Sequence, residues 1–199
     1  MKNSSIRIAV IVGSTRDGRY ADVIANWFLA RARRRDDIEI DVLDLADIEL
    51  PPRFTRERSP ALEDYLHRLA MADAFVVITP EYNHSYPASL KHAVDFANAE
   101  WHRKPLAFVA YGGVSGGLRA VEHLRQVFAE RHAFGIRDTV SFHNPWPQFG
   151  DDGELHDPAA TAAAEEAVRL MLDDLVWWAT ALRSARRADL AASEDDAAA

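Results

Sequence analysis

The chain contains no cysteine. This absence excludes disulfide bonds, thiolate zinc sites, cysteine-ligated iron–sulfur clusters and thiol redox chemistry. Any redox activity must therefore come from a bound cofactor. The eight histidines show no metal-ligand spacing with paired carboxylates, so the sequence predicts no metal site.

The chain also lacks a long apolar run and an excess of positive charge. No stretch approaches the roughly 20 apolar residues that a membrane-spanning helix needs, and the run Ile8–Val12 is too short for a signal-peptide core. The formal net charge of -8 disfavours nucleic acid and anionic membranes as partners, because both are polyanions. We therefore expect a cytoplasmic protein with neither kind of partner.

Five short apolar runs are present, and each has the composition of a strand buried on both faces. Segments with one apolar stripe at helical spacing lie between them. The runs are Ile6–Val12, Ile38–Leu43, Ala74–Thr79, Leu106–Tyr111 and Ile136–Phe142. Strict alternation of strand and helix predicts an α/β fold with a three-layer, doubly wound, five-stranded parallel sheet. The flavodoxin-like strand order 2-1-3-4-5 is the one we expect, with ligands at the carboxyl edge between the first and third strands.

The length of 199 residues suits a single domain, which we assign to residues 1-184. Asp157 and Pro158 predict the start of its last helix, as N-cap and first-turn proline. Residues 185-199 mix alanine with arginine and acidic residues. We expect this segment to be a disordered tail.

The first predicted strand ends in a loop typical of anion binding, Gly13-Ser14-Thr15-Arg16-Asp17-Gly18-Arg19-Tyr20, and a helix follows at once. Small residues let backbone N–H groups converge on phosphate oxygens, and the helix N-terminus adds partial positive charge. Arg16 and Arg19 are both candidates for paired hydrogen bonds to the anion. The lysine and hydroxyl residue of a P-loop are missing after Gly18, as is the three-glycine dinucleotide fingerprint. The loop therefore favours a mononucleotide held by its terminal phosphate.

Two further unusual loops follow the third and fourth strands. The first contains Pro80-Glu81-Tyr82-Asn83 and faces the first loop across the predicted switch point. Backbone amides and Asn83 suit the edge of a flat heterocycle, and Tyr82 or Tyr86 suits its face. The second loop, Ala110–Arg119, is rich in glycine, which permits close backbone approach to a ligand. Three such loops on one sheet edge predict a ligand site.

On these motifs the sequence resembles the NADPH-dependent FMN reductase family of the flavodoxin-like superfamily, over roughly Ile6–Phe142. The matching segments are Gly13–Arg16, Pro80–Asn83 with Ser85, Pro87, Leu90 and Lys91 behind it, and the turn from Gly112-Gly113 to Gly116-Gly117. The resemblance implies bound FMN, with NADPH or NADH as co-substrate. It also implies a homodimer or homotetramer.

The resemblance further implies which residues contact the cofactor. The FMN phosphate is expected at the first loop and the isoalloxazine edge at the other two. The candidates are Ser14, Arg16, Arg19, Tyr20, Pro80, Glu81, Tyr82, Asn83, Tyr111, Gly112, Gly113 and Ser115. Arg19 and Tyr20 depart from the family pattern, in which many members have a small residue reaching the phosphate. The sequence does not decide between Arg16 and Arg19 as the main phosphate ligand.

The expected activity is transfer of a hydride from NADPH to bound FMN and then to flavin, quinone, azo or similar small acceptors, with ping-pong kinetics and no catalytic side chain. One alternative is a flavodoxin-type electron carrier or FMN-binding module without nicotinamide turnover. Arg53, Arg56 and Arg58 stand against a pure carrier if they bind the extra phosphate of NADPH, but such a run is more typical of a solvated basic patch. A remote alternative is a serine hydrolase, because the residues around Ser115 match the nucleophile-elbow pattern. Its triad partners would come from Asp138, Asp151, His143 and His156.

Overall fold

The computed structural model describes residues 5–55 and 57–198. Five parallel strands form one sheet: β1 (Ile6–Val12), β2 (Ile38–Asp44), β3 (Ala74–Pro80), β4 (Pro105–Gly112) and β5 (Phe134–His143). Their order is β2-β1-β3-β4-β5, which confirms the predicted fold. β3 and β4 are buried along their whole length, as continuous apolar runs in a parallel sheet require.

Helices cover both faces of the sheet and give the predicted three layers. They are α1 (Ala21–Ala32), α2 (Pro60–Met71), α3 (Ala88–Phe96), α4 (Leu118–Glu130) and α5 (Pro158–Ala198). Side chains of α1 and α5 share one apolar cluster with the β1 residues Ile8 and Val10. Side chains of α2, α3 and α4 share the other cluster with Ala9 and Ile11, the alternate residues of β1. The alternation of strand side chains thus divides the core between two faces.

Capping side chains fix the starts of α2 and α5. The Ser59 hydroxyl accepts a hydrogen bond from the Leu62 N–H at 3.2 Å, with Pro60 in the first turn. The Asp157 carboxylate accepts bonds from the N–H groups of residues 159 and 160, each at 3.2 Å. The predicted start of the last helix is therefore confirmed. None of the helices in the described part of the chain is long and apolar enough to cross a membrane.

The chain end belongs to the last helix, α5, and the domain bound at residue 184 and the disordered tail stay predictions. α5 continues to Ala198, and Arg186 donates hydrogen bonds to the Arg103 carbonyl at 2.7 Å and to Asp73 at 3.4 Å. Alanine and arginine are strong helix formers, so a segment of this composition can extend a helix that has already begun.

Candidate functional site

The carboxyl ends of β1, β3 and β4 are neighbours, so the loops that follow these strands meet at one sheet edge. We call them the β1 loop (residues 13–20), the β3 loop (81–87) and the β4 loop (113–117). The Ser14 hydroxyl lies 2.9 Å from the Tyr82 hydroxyl, which joins the β1 and β3 loops. The Ser115 hydroxyl donates a hydrogen bond to the Glu81 carboxylate, which joins the β3 and β4 loops. The three predicted loops therefore form one continuous surface.

The β1 loop offers backbone donors to an anion. The N–H groups of residues 14–18 donate to no backbone carbonyl among the described residues. Ser14 is fully buried, while Gly18 has a φ of +62° and open space where a side chain would begin. α1 starts directly after the loop, at Ala21. Free N–H groups at the start of a helix are the usual elements of a phosphate site.

The two arginines of the β1 loop have different surroundings. Arg16 is exposed, and its guanidinium carbon lies 4.3 Å from the centre of the Tyr82 ring. Among the described residues it has no carboxylate partner. Arg19 is instead bound to Asp44 by two hydrogen bonds, at 2.6 and 2.5 Å. The hydrogen bonds to Asp44 raise the pKa of Arg19 in spite of its burial.

Tyr20 is the last residue of the β1 loop, directly before α1. Its hydroxyl donates to the Pro145 carbonyl at 3.3 Å, and its ring centre lies 6.2 Å from those of Trp146 and Phe149 and 6.3 Å from that of Tyr111. Burial raises the pKa of this hydroxyl. Tyr20 therefore belongs to an aromatic cluster that connects the β1 loop to the chain segment after β5.

The β3 loop makes a tight turn. Tyr82 and Ser85 exchange two backbone hydrogen bonds, at 2.8 and 2.9 Å. The two residues between them have positive φ values, 51° at Asn83 and 66° at His84, which is the geometry of a type I′ turn. Both are exposed, so the turn presents Asn83 and its backbone at the sheet edge while the Tyr82 hydroxyl is held by Ser14.

Glu81 connects the β3 and β4 loops. Its side chain is 8% exposed, and its carboxylate also accepts hydrogen bonds from the Arg119 backbone N–H at 3.2 Å and the Arg119 guanidinium at 3.1 Å. Burial works against the charge, but the bonds from Ser115 and Arg119 outweigh it and lower the pKa of Glu81. The Glu81 backbone N–H donates to the Tyr111 carbonyl at 2.9 Å. The Glu81 carboxylate thus braces the two loops.

The β4 loop needs its glycines for close packing. Gly116 and Gly117 have φ values of +61° and +89°, and a Cβ at either position would lie 2.6 Å from a neighbouring side chain. At Gly113 a Cβ would meet only the Asn144 side chain, at 3.7 Å. Gly113 therefore leaves backbone accessible at the sheet edge. Tyr111, at the end of β4, is buried, and burial raises the pKa of its hydroxyl.

The geometry gives no support to a serine hydrolase. The Ser115 hydroxyl donates to Glu81, and none of the histidines in the described ranges forms a hydrogen bond with it. His143 Nδ1 lies 3.1 Å from the Val114 carbonyl oxygen instead. The serine-hydrolase triad needs a histidine within hydrogen-bond reach of the serine hydroxyl. Residues 5–55 and 57–198 also contain no group of three or more histidine, aspartate or glutamate side chains placed to hold a metal ion.

The arginine loop after β2 lies beside α3. Arg53 and Arg58 are exposed, and Arg56 lies outside the described residues. The loop is held by His92, whose Nε2 lies 2.7 Å from the Pro51 carbonyl oxygen, and by Phe54, whose ring centre lies 4.8 Å from that of Phe96.

Sequence reasoning missed Asp44, the carboxylate that binds Arg19. Asp44 is the last residue of β2 and pairs in register with Val12, the last residue of β1. Its position directly after an apolar run, at the carboxyl edge of the predicted sheet, is the one signal that points to it.

The fold is that of a flavodoxin-like α/β protein, and solved structures share it. One is FerB from Paracoccus denitrificans, described as a flavoenzyme NAD(P)H:(acceptor) oxidoreductase, with a TM-score of 0.69 and 24% identity over 88% of this chain and 97% of that chain. Another is RosB with a bound flavin-type intermediate, with a TM-score of 0.69 and 12% identity over 96% of this chain and 88% of that chain. At these identities the likeness shows the fold alone.

Sequence relatives define the family. Residues 6–147 match the family described as NADPH-dependent FMN reductase. A Schizosaccharomyces pombe protein named NAD(P)H-dependent FMN reductase is 37% identical over 123 residues, 56% of this chain and 60% of that protein's length. A probable NADPH:quinone oxidoreductase from Oryza sativa is 35% identical over 172 residues, 76% of this chain and 83% of the relative. The chain therefore belongs to the NADPH-dependent FMN reductase family, a family of FMN-dependent oxidoreductases that use a reduced nicotinamide nucleotide.

The residues at the sheet edge fit FMN. Free backbone N–H groups and the Arg16 guanidinium suit a dianionic phosphate at the β1 loop. The Asn83 turn and the accessible backbone at Gly113 suit a flat ring with polar edges. Tyr82 contacts Ser14 and Arg16 of the β1 loop and belongs to the same turn as Asn83, so the two groups lie on one continuous surface.

Proposed function

We propose that this chain binds FMN across the three loops and catalyses the NAD(P)H-dependent reduction of small acceptors. The observation that carries the proposal is the junction of the loops, made by the Ser14–Tyr82 and Glu81–Ser115 hydrogen bonds at one sheet edge. Family membership supports the choice of FMN as the ligand.

The phosphate end is bound by the β1 loop. Ser14, the free N–H groups of residues 15–18 and Arg16 supply the donors and the positive charge. The chain as a whole carries a net charge of -8, so a phosphate is held only where such a local arrangement exists.

The ring end lies against the β3 and β4 loops. Bound FMN supplies the electron-transfer chemistry, which the side chains of this protein do not. The chain orients the ring with the backbone of residues 80–83 and 111–113. The Glu81 carboxylate connects the β3 and β4 loops, because it accepts hydrogen bonds from Ser115 and Arg119. The Ser115 hydroxyl donates its hydrogen bond to the Glu81 carboxylate, so neither residue is assigned a role in proton transfer.

Kinetics test the order of the two substrates. The described part of the sheet edge has one loop suited to a nucleotide phosphate, the β1 loop, and it is proposed to hold FMN. We therefore expect NADPH and the acceptor to bind at the same face of the flavin, one after the other. This order gives ping-pong kinetics. Initial rates of NADPH oxidation by the FMN-loaded protein, measured at several quinone concentrations, should give parallel double-reciprocal lines. Intersecting lines would contradict the single shared face, and no NADPH oxidation above the rate with free FMN would favour the electron-carrier alternative.

The acceptor class and the assembly belong to the same proposal. The names of the relatives give FMN and quinones as acceptors, and azo compounds extend the set to be compared with the same assay. We also propose a homodimer or homotetramer. Light scattering during gel filtration should then give two or four times the chain mass of 22.3 kDa, and a mass of 22.3 kDa would contradict it.

A further inference from the structure

Arg19 occupies the β1 loop, yet all three of its guanidinium nitrogens are bound to protein acceptors. Nε donates to Asp22 at 2.9 Å. Nη1 donates to the Ser14 carbonyl at 2.6 Å and to Asp44 at 2.6 Å, and Nη2 donates to Asp44 at 2.5 Å and lies 2.8 Å from Asp22. The Arg19 side chain is 11% exposed. Its charge is therefore matched within the protein, and its donors are used.

Asp44 is the partner that explains this arrangement. It ends β2 beside the start of the β1 loop, because it pairs in register with Val12. Its side chain is 20% exposed, against 56% for Asp22, so solvent screens its charge less. An unpaired carboxylate at this place would repel the dianionic phosphate that the loop is proposed to hold.

We propose that Arg19 is a positioning residue that neutralises Asp44 and holds the Ser14 carbonyl, and that it leaves the direct phosphate contact to Arg16. The inference rests on the proposed function, since it concerns the same FMN site. The competing account is that Arg19 leaves Asp44 on binding and contacts the phosphate itself. The two accounts differ in what happens when Arg19 and Asp44 are removed together.

The experiment compares FMN with riboflavin, which has the same ring and no phosphate. Dissociation constants of both are measured by flavin fluorescence on the full-length apoprotein, for the native chain, Arg19→Met and Arg19→Met/Asp44→Asn. The matched control is Arg19→Met/Asp47→Asn, because Asp47 is an exposed aspartate three residues further along that makes no described contact with Arg19. The readout is the preference for FMN over riboflavin, which a loss of fold would not change selectively.

Our proposal expects Arg19→Met to lower the FMN preference by about tenfold, the order of effect of one unpaired charge near a surface. It expects Arg19→Met/Asp44→Asn to recover to within about threefold of the native preference, and the Asp47 control to stay as low as Arg19→Met. A double variant with Asp44→Asn that remains as low as Arg19→Met would overturn the proposal and favour direct phosphate contact. Equal recovery with Asp44→Asn and Asp47→Asn would overturn the specific role of Asp44.

The outcome remains decisive if Arg19→Met does not fold. The double variant Arg19→Met/Asp44→Asn has no carboxylate at position 44 and can then be tested alone. An FMN preference close to native supports the proposal. An FMN preference lowered by tenfold or more, on the order of one charge-assisted contact, refutes it. The FMN preference of the native chain distinguishes a failure of the proposed function from a failure of the Arg19 proposal. If the native chain does not prefer FMN to riboflavin, the FMN site itself is wrong, whatever Arg19 does.

Discussion

Arg16 is the residue whose removal separates phosphate binding from ring binding. Arg16→Ala should weaken FMN binding by roughly 1.5–3 kcal/mol, because a charge-assisted hydrogen bond to the phosphate is lost. Riboflavin binding should stay close to native, since that ligand has no phosphate. Fluorescence titrations with the two flavins give the comparison.

The control for this prediction is Arg33→Ala. Arg33 is an exposed arginine at the opposite end of α1, so its loss changes the net charge equally without touching the sheet edge. The phosphate assignment is wrong if Arg16→Ala weakens FMN and riboflavin to the same extent, or if Arg33→Ala weakens FMN as much.

Glu81 gives the site a dependence on pH. The pKa of Glu81 is lowered in the folded protein from an ordinary value of 4.5, so its contribution to stability is present above pH 4.5 and is lost as the pH falls through the lower folded value. Glu81→Gln keeps the shape but weakens the bonds to Ser115 and Arg119, and it should cost about 1 kcal/mol of unfolding free energy at neutral pH. The difference in unfolding free energy between Glu81→Gln and the native chain should shrink once the pH falls below the lowered pKa of Glu81.

Urea unfolding at neutral and acidic pH measures this difference. Glu122→Gln is the matched control, because the Glu122 side chain is 72% exposed on α4 and should give little difference at either pH. A Glu81→Gln penalty that is the same at both pH values would contradict the role of the carboxylate charge.

At the scale of secondary-structure elements, the glycines of the turn between β4 and α4 leave little room for a side chain. Gly117→Ala combines a φ of +89° with a Cβ placed 2.6 Å from the Ala110 Cβ and 2.7 Å from the Tyr111 backbone nitrogen. Gly153→Ala has the strained φ of +76° alone, with nothing within 4 Å. We expect Gly117→Ala to cost about 1–3 kcal/mol more than Gly153→Ala in urea unfolding, since backbone atoms have to move. Equal costs would show that the turn relaxes freely.

The strands and their order were predictable because each central strand is a continuous apolar run and because alternating β-α units obey general topological rules. The first residue of β5 was harder to predict. The sequence predicts Ile136–Phe142, whereas the structure starts the strand at Phe134, which pairs with Pro105 before a register shift between Leu106 and Phe108. The apolar pattern of one strand does not reveal such an irregularity, because the register depends on which residues of the neighbouring strand lie opposite.

The candidate site was predictable at the level of loops and less so at the level of side chains. Glycines, hydroxyl residues and the switch-point rule bring the three loops together without any knowledge of contacts. The partner of Arg19 is 25 residues away at Asp44, and that of Glu81 is 34 residues away at Ser115. These pairs depend on the register of adjacent strands, so the sequence left Arg16 and Arg19 equivalent where the structure separates them.

On the scale of the whole molecule, an acidic chain presents at the β1 loop a region suited to an anion. The net charge of -8 repels nucleotides over most of the surface. The β1 loop combines the backbone donors of residues 14–18 with the charge of Arg16, and neither has a hydrogen-bond or ion-pair partner within residues 5–55 and 57–198. The Ser14–Tyr82 and Glu81–Ser115 hydrogen bonds connect this region to the β3 and β4 loops. We therefore expect binding to be selective for a nucleotide that spans the phosphate and ring ends together.

The most direct test is the anaerobic addition of NADPH to the protein loaded with FMN and freed of excess flavin. The account predicts that one flavin per chain stays bound and that its visible absorption band is bleached by one equivalent of NADPH. A chain that retains no flavin, or one whose bound flavin keeps its absorption band in excess NADPH, would contradict it.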